Sequence, residues 1–343
     1  MDKVVVAGAG FGGIRAAIDL HRQGFDVEVV DKNFEHVYTP GLIDLVRQRV
    51  NTEDLTLDVN ELFSSTTIQT LEATITGFNP DKNVVELEEG VLNYDYLVLA
   101  LGSTTKSEFE SDKIITPYTI DSALKLSEID GSVCIVGSGY TGIEYAAELE
   151  AKGVETHIFD SATRPLPGFS EDISLKVLDY LNKYDIGFTG GKKVDIMGNG
   201  SVSFEGRNKK FDKIIWCGGV QPVAAVRESF GDEGLKVNKG LCSVEFDNIF
   251  AIGACNSLDG NSAHQSLKEA ELIAENISKE DFKDLKMIDD NPQTFLVSLG
   301  RTGLFVHGEQ HRKNFLFRYV KDIVRKTYIW NLKKEKFLLN NLM

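Results

Sequence analysis

Gly8, Gly10 and Gly13 stand in the order G-x-G-x-x-G, and Asp31 follows 23 residues after the first of them. Gly137, Gly139 and Gly142 repeat that order, with Asp160 at the same distance. The chemistry such a set performs is the binding of a dinucleotide. The first glycine permits a tight turn, the second lets a pyrophosphate approach the backbone, and the third lets a helix pack closely on a strand. The helix N-terminus then faces the phosphates, and the acid accepts hydrogen bonds from ribose hydroxyls. Two glycine turns with no ligand are the plainer alternative. The complete strand, turn, helix and acid, present twice, argues against it.

The elements that must position these residues are written around them. Val4-Val5-Val6-Ala7 returns 129 residues on as Val133-Cys134-Ile135-Val136, each a short apolar strand. A helical pattern follows each turn, carrying Ile14, Ala17 and Ile18 towards Gly24, and Ile143, Ala146, Ala147 and Leu149 towards Gly153. Second strands, Val27–Val30 and Thr156–Phe159, lead to the two acids. Late in each half another apolar strand ends in small residues, Tyr96 to Gly102 and Ile214 to Gly219, where backbone can pass close to a nucleotide. Alternating strands are expected near Ala73–Phe78 and Asn83–Leu87, a short buried strand at Ile249–Gly253, and a helix over Ala263–Ile277. The last two return to the first half, so that the second is inserted within it.

Two dinucleotide sites in one chain suggest one tightly held and one exchanging cofactor, and flavin with nicotinamide is the economical pair. A carboxylate at Asp160 repels a 2′-phosphate and favours NAD over NADP, while Arg164 four residues on pulls the other way. The 343 residues fit about two domains. The net charge of −15 argues against a nucleic-acid partner held by phosphate contacts. No apolar run has the length of a membrane span, and Met1-Asp2-Lys3 leaves no room for a signal peptide. Cys134, Cys217, Cys242 and Cys255 are scattered without metal or disulfide spacing, which suits a reducing cytoplasm.

Longer stretches carry a resemblance to the two-dinucleotide-binding-domain flavoproteins, and within them to type II NADH dehydrogenases and, less closely, sulfide:quinone oxidoreductases. The stretches are Gly8–Gly13; Val30-Asp31-Lys32-Asn33 with His36 and Pro40; the second fingerprint continued to Glu144; Leu166-Pro167-Gly168-Phe169; Trp216 to Pro222; and Phe250-Ala251-Ile252-Gly253. The resemblance covers residues 3–305. It implies an α/β, glutathione-reductase-like fold of two Rossmann-like domains. Residues 1–110 and 244–294 would be the FAD domain, 111–243 the NAD domain, and 295–343 a helical extension for membrane surface or dimerisation. It further implies FAD on Gly8, Gly10, Gly13 and Asp31, with Lys32, Gly102 and Gly253 nearby. NADH would lie on Gly137, Gly139, Gly142 and Asp160, with Gly219. Glu144 would sit where the nicotinamide and flavin rings meet, as the catalytic residue; an exposed acid in the first helical turn is the plainer alternative. No metal site is expected.

The chain also departs from that family. Its late G-D motif reads Gly253-Ala254 here, losing a charge-assisted hydrogen bond to flavin. Where a quinone-side A-Q-x-A-x-Q-Q is usual, Ala263 is followed by His264, Ser266, Lys268 and Glu269 at the altered positions. Residues 1–133 contain no cysteine, which excludes the Cys-x4-Cys of disulfide reductases, and Cys255 alone has a plausible redox position. The charge is uneven, +7 over the last 43 residues against −22 for the first 300. From Asn314 to Lys334 apolar residues recur at Leu316, Tyr319, Val320, Ile323, Thr327 and Trp330, with Arg318, Lys321, Arg325 and Lys326 largely opposite. This is a membrane-surface helix, or one docked on the acidic body or on a second copy.

The expected activity is hydride transfer from NADH to FAD, then electron transfer to a quinone or another acceptor, on the cytoplasmic face of a membrane. The alternatives are a soluble flavin reductase for a protein carrier or oxygen, a sulfide:quinone enzyme, and a nucleotide sensor without turnover.

Overall fold

The computed structural model describes residues 1–107, 109, 111–258, 262–279, 285–288, 294–308 and 310–339. The expected domain boundary at residue 110 and the end of the extension, 340–343, lie outside them. The elements that build the sites begin with β1 (Lys3–Ala7), α1 (Phe11–Arg22), β2 (Asp26–Asp31), β3 (Gln69–Glu72) and β4 (Tyr96–Leu99). Next come β5 (Ile114–Ile115), β6 (Ser132–Val136), α2 (Tyr140–Lys152), β7 (Glu155–Phe159), β8 (Gly187–Thr189) and β9 (Lys213–Trp216). The chain closes with β10 (Ile249–Ala251), α3 (Ala263–Ile277), β11 (Thr294–Leu299), β12 (Thr302–His307), β13 (Gln310–Asn314) and α4 (Phe317–Leu339).

Two parallel five-stranded sheets carry the fingerprints, in the orders β10-β4-β1-β2-β3 and β5-β9-β6-β7-β8. The fingerprint strands β1 and β6 are central, and each is apolar on both faces, as a strand covered by helices must be. Register repeats as well: Val4 pairs with Val27 in the first sheet, and Val133 with Thr156 in the second. The first sheet takes its edge strand β10 from beyond the second, through Ile249 opposite Leu97. Antiparallel pairing of Ser103–Thr105 with Val220–Pro222 ties the two crossings between the sheets together. Each sheet has its own apolar core, one centred on Val4–Val6 with Leu97–Leu99, the other on Ile135, Ile143 and Leu149.

The C-terminal segment differs from its expectation. The helix begins at Phe317 rather than at Asn314, because Gln310–Asn314 pairs as the outer strand of the antiparallel sheet β11-β12-β13. Its docked face is the one that docking on the acidic body calls for, with cations inward. Lys321, Arg325, Tyr328 and Leu332, spaced as one helical stripe, turn inward, with Arg325 only 5% exposed. Leu316, Tyr319, Val320, Ile323 and Trp330, the apolar stripe of a membrane-surface helix, point to the outside. The two cations can go inward because each meets an acceptor there, as described below.

Candidate functional site

The fingerprint glycines divide their work identically in both copies. Gly8 and Gly137 have φ of +112° and +108°, in the left-handed region. A Cβ on Gly8 would stand 2.4 Å from the Ala100 carbonyl oxygen, and one on Gly137 2.4 Å from that of Cys217. A Cβ on Gly13 would lie 1.8 Å from the Gly8 carbonyl, and one on Gly142 2.0 Å from that of Gly137. These four glycines are demanded by the protein itself. Gly10 and Gly139 are not: a Cβ on either meets nothing within 4 Å. Open space at the middle glycine, ahead of the first turn of α1 or α2, is what a pyrophosphate needs. Gly102, at φ +72°, likewise faces open space, whereas a Cβ on Gly219 would make ordinary contact with Lys106.

The two acids close their loops in the same manner. Asp31 Oδ2 accepts from the Ala9 N–H at 2.7 Å, and Oδ1 from Asn33 N–H at 3.3 Å. Asp160 Oδ2 accepts from Ser138 N–H at 2.5 Å and from Ser138 Oγ at 2.6 Å, while Oδ1 accepts from Ala162 N–H at 2.8 Å. Lys32 is exposed at the end of β2. Arg164 is turned away from Asp160: its guanidinium donates to Ser174 Oγ and the Pro167 carbonyl. The carboxylate therefore stands without a guanidinium that would welcome a 2′-phosphate.

Glu144, the fifth residue of α2, is buried, unlike the exposed first-turn acid of the plainer alternative. Its Oε1 accepts from the Ser298 N–H at 2.5 Å and from Lys321 Nζ of α4. Burial pushes the carboxyl pKa up, and Lys321 and Ser298 only partly offset that. Burial works against the Lys321 ammonium, yet Glu144 and Tyr140 beside it hold its pKa above the ordinary lysine value. One helical turn on, Glu148 is fully buried and accepts from Ser298 Oγ at 2.9 Å and Arg49 at 2.6 Å. Ser298 thus joins two carboxylates, and the network reaches β11, α2 and α4 at once.

A second group links α4 to the first fingerprint. Phe11, the first residue of α1, meets His36, Tyr38 and Tyr328 ring to ring at 4.8, 5.7 and 5.1 Å. Tyr328 Oη lies 3.0 Å from His36 Nε2, and Arg325 donates to the Asp54 carbonyl at 3.0 Å. Burial lowers the His36 pKa to about 4, against a smaller opposing effect of the Ala9 backbone, so the ring is neutral. No spacing rule joins residues 36 and 144 to residues 328 and 321, and sequence reasoning missed both contacts.

The late residues also fall into place. Gly253 has φ +57°, and its N–H is held by Glu269 at 2.5 Å. His264 and Lys268 are exposed on α3, whereas Gln265 and Glu269 face inward. Cys255 is buried with its Sγ 3.8 Å from the Gly102 carbonyl, and burial pushes its thiol up to about 12. All four cysteines are free and buried. A buried thiol held protonated is a poor nucleophile. Among the described residues no His/Cys/Asp/Glu group is arranged to hold a metal ion.

Comparison with known proteins gives the geometry its setting. The sequence pattern described as pyridine nucleotide-disulphide oxidoreductase matches residues 2–270. A type II NADH:quinone oxidoreductase of Staphylococcus saprophyticus is 23% identical over 338 residues, covering 85% of this chain and 84% of that protein. Among solved structures, the sulfide:quinone oxidoreductase of Aquifex aeolicus superposes with a TM-score of 0.87 at 17% identity, covering 98% of this chain and 92% of that one. NDH2 from Plasmodium falciparum, in complex with NADH, superposes with a TM-score of 0.83 at 15% identity, covering 99% and 97%. These structural likenesses establish the shared fold, built on two parallel sheets.

Proposed function

The chain belongs to the pyridine nucleotide-disulphide oxidoreductase family, and on that premise we propose that this FAD-dependent NADH oxidoreductase passes its electrons to a quinone at a membrane surface. The observation that carries the reading is the pair of glycine cradles, open at Gly10 and Gly139 and closed at the glycines on either side. Gly8, Gly10, Gly13 and Asp31, with Lys32, Gly102 and Gly253, bind and orient FAD within residues 1–110 and 244–294. Gly137, Gly139, Gly142 and Asp160, with Gly219, do the same for NADH within 111–243. When bound, FAD accepts hydride and can release electrons singly or in pairs.

The chain's own work is placement and proton supply. The two parallel sheets hold their nucleotide turns as fixed backbone, so that orientation costs little at the moment of reaction. A quinone that takes two electrons also takes two protons. Glu144 and Lys321 form a buried pair at the helix of the second fingerprint, and the Glu144 carboxyl, through the oxygen not occupied by Ser298 and Lys321, can hold or pass a proton there. Glu144 is the catalytic residue of this proposal.

The membrane part rests on the outward face of α4. Seven of the fourteen large apolar residues exposed among the described residues fall between 315 and 330. Lys326, Lys333 and Lys334 lie exposed alongside them. An apolar stripe flanked by lysines suits an interfacial seat on an anionic leaflet, here its cytoplasmic face. Among the described residues no helix is long and apolar enough to cross a membrane. Flotation with vesicles of phosphatidylglycerol, together with NADH-driven reduction of a quinone in them, tests this. Protein that turns over NADH but neither floats nor reduces the quinone would instead be a soluble flavin reductase.

A further inference from the structure

Glu269 is a buried carboxylate that the mechanism above does not use. It lies on α3, 1% exposed. Its Oε2 accepts from the Gly253 N–H at 2.5 Å and from Asn256 Nδ2 at 3.4 Å, and its Oε1 from Gln265 Nε2 at 3.0 Å. Among the described residues it has no ion-pair partner. An ionised carboxylate held out of water is costly unless charges or donors repay it, so its retention asks for a reason.

Its location supplies one. The segment it grips, Ile252 to Asn256, leaves β10 at the same C-terminal end of the parallel sheet at which the first fingerprint leaves β1. A Cβ on Gly12 would stand 2.4 Å from the Ile252 side chain, so the segment abuts the start of α1. Cys255 reaches the Gly102 carbonyl, and the Ile252 N–H donates to the Leu99 carbonyl at 2.8 Å. The turn therefore touches both the fingerprint helix and the Gly102 loop. It has no ionisable carboxylate of its own: its residues read Ile-Gly-Ala-Cys-Asn. Asn256 adds a brace by donating to the Ala251 carbonyl at 3.1 Å.

We infer that Glu269 is a positioning residue for FAD: it fixes the 252–256 turn against the first nucleotide site and places a negative charge behind it. This rests on the reading of the first site as the FAD site. Among the described residues three N–H donors and no acceptor surround the carboxylate, which is the partner set of its ionised form. Burial pushes its pKa up, and the Gly253, Gln265 and Asn256 donors oppose that. A fixed negative charge disfavours the electron-rich reduced flavin more than the oxidised one, so Glu269 both retains FAD and lowers its reduction potential.

The test uses the full chain as wild type, Glu269→Gln and Gln265→Leu, each stripped of nucleotide, titrated with FAD and poised against mediator dyes. Glu269→Gln keeps the size but turns an amide donor toward N–H groups. Its Kd for oxidised FAD should rise at least about tenfold, and its midpoint potential by about 30 mV, a tenfold change in the relative binding of the two redox states. Gln265→Leu removes one donor, makes Glu269 easier to protonate, and should move both readings the same way by less. It also serves if Glu269→Gln does not fold. Unchanged affinity and potential in a folded variant overturn the inference. So does equal weakening of both redox states with no change of potential, which marks packing of the turn alone. Wild type that takes up no FAD defeats the functional reading first; wild type that binds FAD beside unaltered variants defeats this inference alone.

Discussion

The two nucleotide turns are near copies in strand, glycine and acid, yet they are closed differently. The first is covered by chain that returns from far away: the 252–256 turn with Glu269 behind it, and Tyr328 of α4 on His36. The second has its glycine–acid turn closed from within its own unit, by Ala162 and Ser138 on Asp160 and by Leu166, whose N–H donates to the Ser138 carbonyl at 2.8 Å, and distant chain reaches only its helix, at Glu144. A site bolted shut by three distant segments suits a resident cofactor, and one made of its own loops suits a cofactor that comes and goes. Under the proposed function, the same fingerprint would serve two residence times because the surrounding topology differs.

The sharpest way to break this comparison is to fill one cradle at a time. Gly13→Ala drives a methyl into the Gly8 carbonyl, which should cost about 3 kcal/mol or more and yield colourless protein. Gly142→Ala, the same change in the second copy, should leave the protein yellow but unbleached by NADH. Equal loss of flavin from both variants, read in the visible spectrum, would mean that the two sites are not distinct.

Next in size is the contact that joins α4 to the second site. Lys321→Met leaves Glu144 buried without its cation, and urea unfolding should show a loss of about 3–5 kcal/mol. Adding Glu144→Gln should restore much of it. A loss below about 1 kcal/mol is the behaviour of a surface pair and would contradict the docked position of α4.

The first site offers a pH test of similar character. The folded His36 pKa lies near 4, below the ordinary 6.5, so the unfolded chain takes up its proton first as pH falls. The contribution is fully present above pH 6.5 and is lost progressively down to pH 4, by about 3 kcal/mol in all. His36→Gln should flatten this part of the stability curve, and an unaltered curve would show that His36 is not buried as described.

The smallest effect on the fold, and the clearest on location, is expected from the outward face of α4. Ile323→Glu and Trp330→Glu should change stability by no more than about 0.5 kcal/mol, because both side chains are exposed. Binding to phosphatidylglycerol vesicles should nevertheless be lost. A large loss of stability with monomeric protein replacing a dimer would assign the face to a second copy of the chain.

Much of the fold was legible because it rests on local rules. The fingerprint spacing, the apolar runs of β1 and β6, the return strand at Ile249 and the span Ala263–Ile277 all follow from turn chemistry and periodicity. What was not legible is which stripe of α4 faces inward. A 3.6-residue pattern shows two faces, and hydrophobicity alone turns Lys321 and Arg325 outward. They face inward because Glu144, 177 residues away, and the Asp54 carbonyl receive them. Glu269 was hidden for a like reason: in sequence it is one altered position of a polar helix, and only the fold brings Gly253 to it.

The most direct test of the central claim is an anaerobic titration of the purified, FAD-loaded protein, followed in the visible spectrum. NADH should bleach the flavin bands faster than NADPH does, since Asp160 stands free of Arg164. Protein that stays colourless after incubation with FAD, or a bound flavin that NADH leaves oxidised, would contradict it.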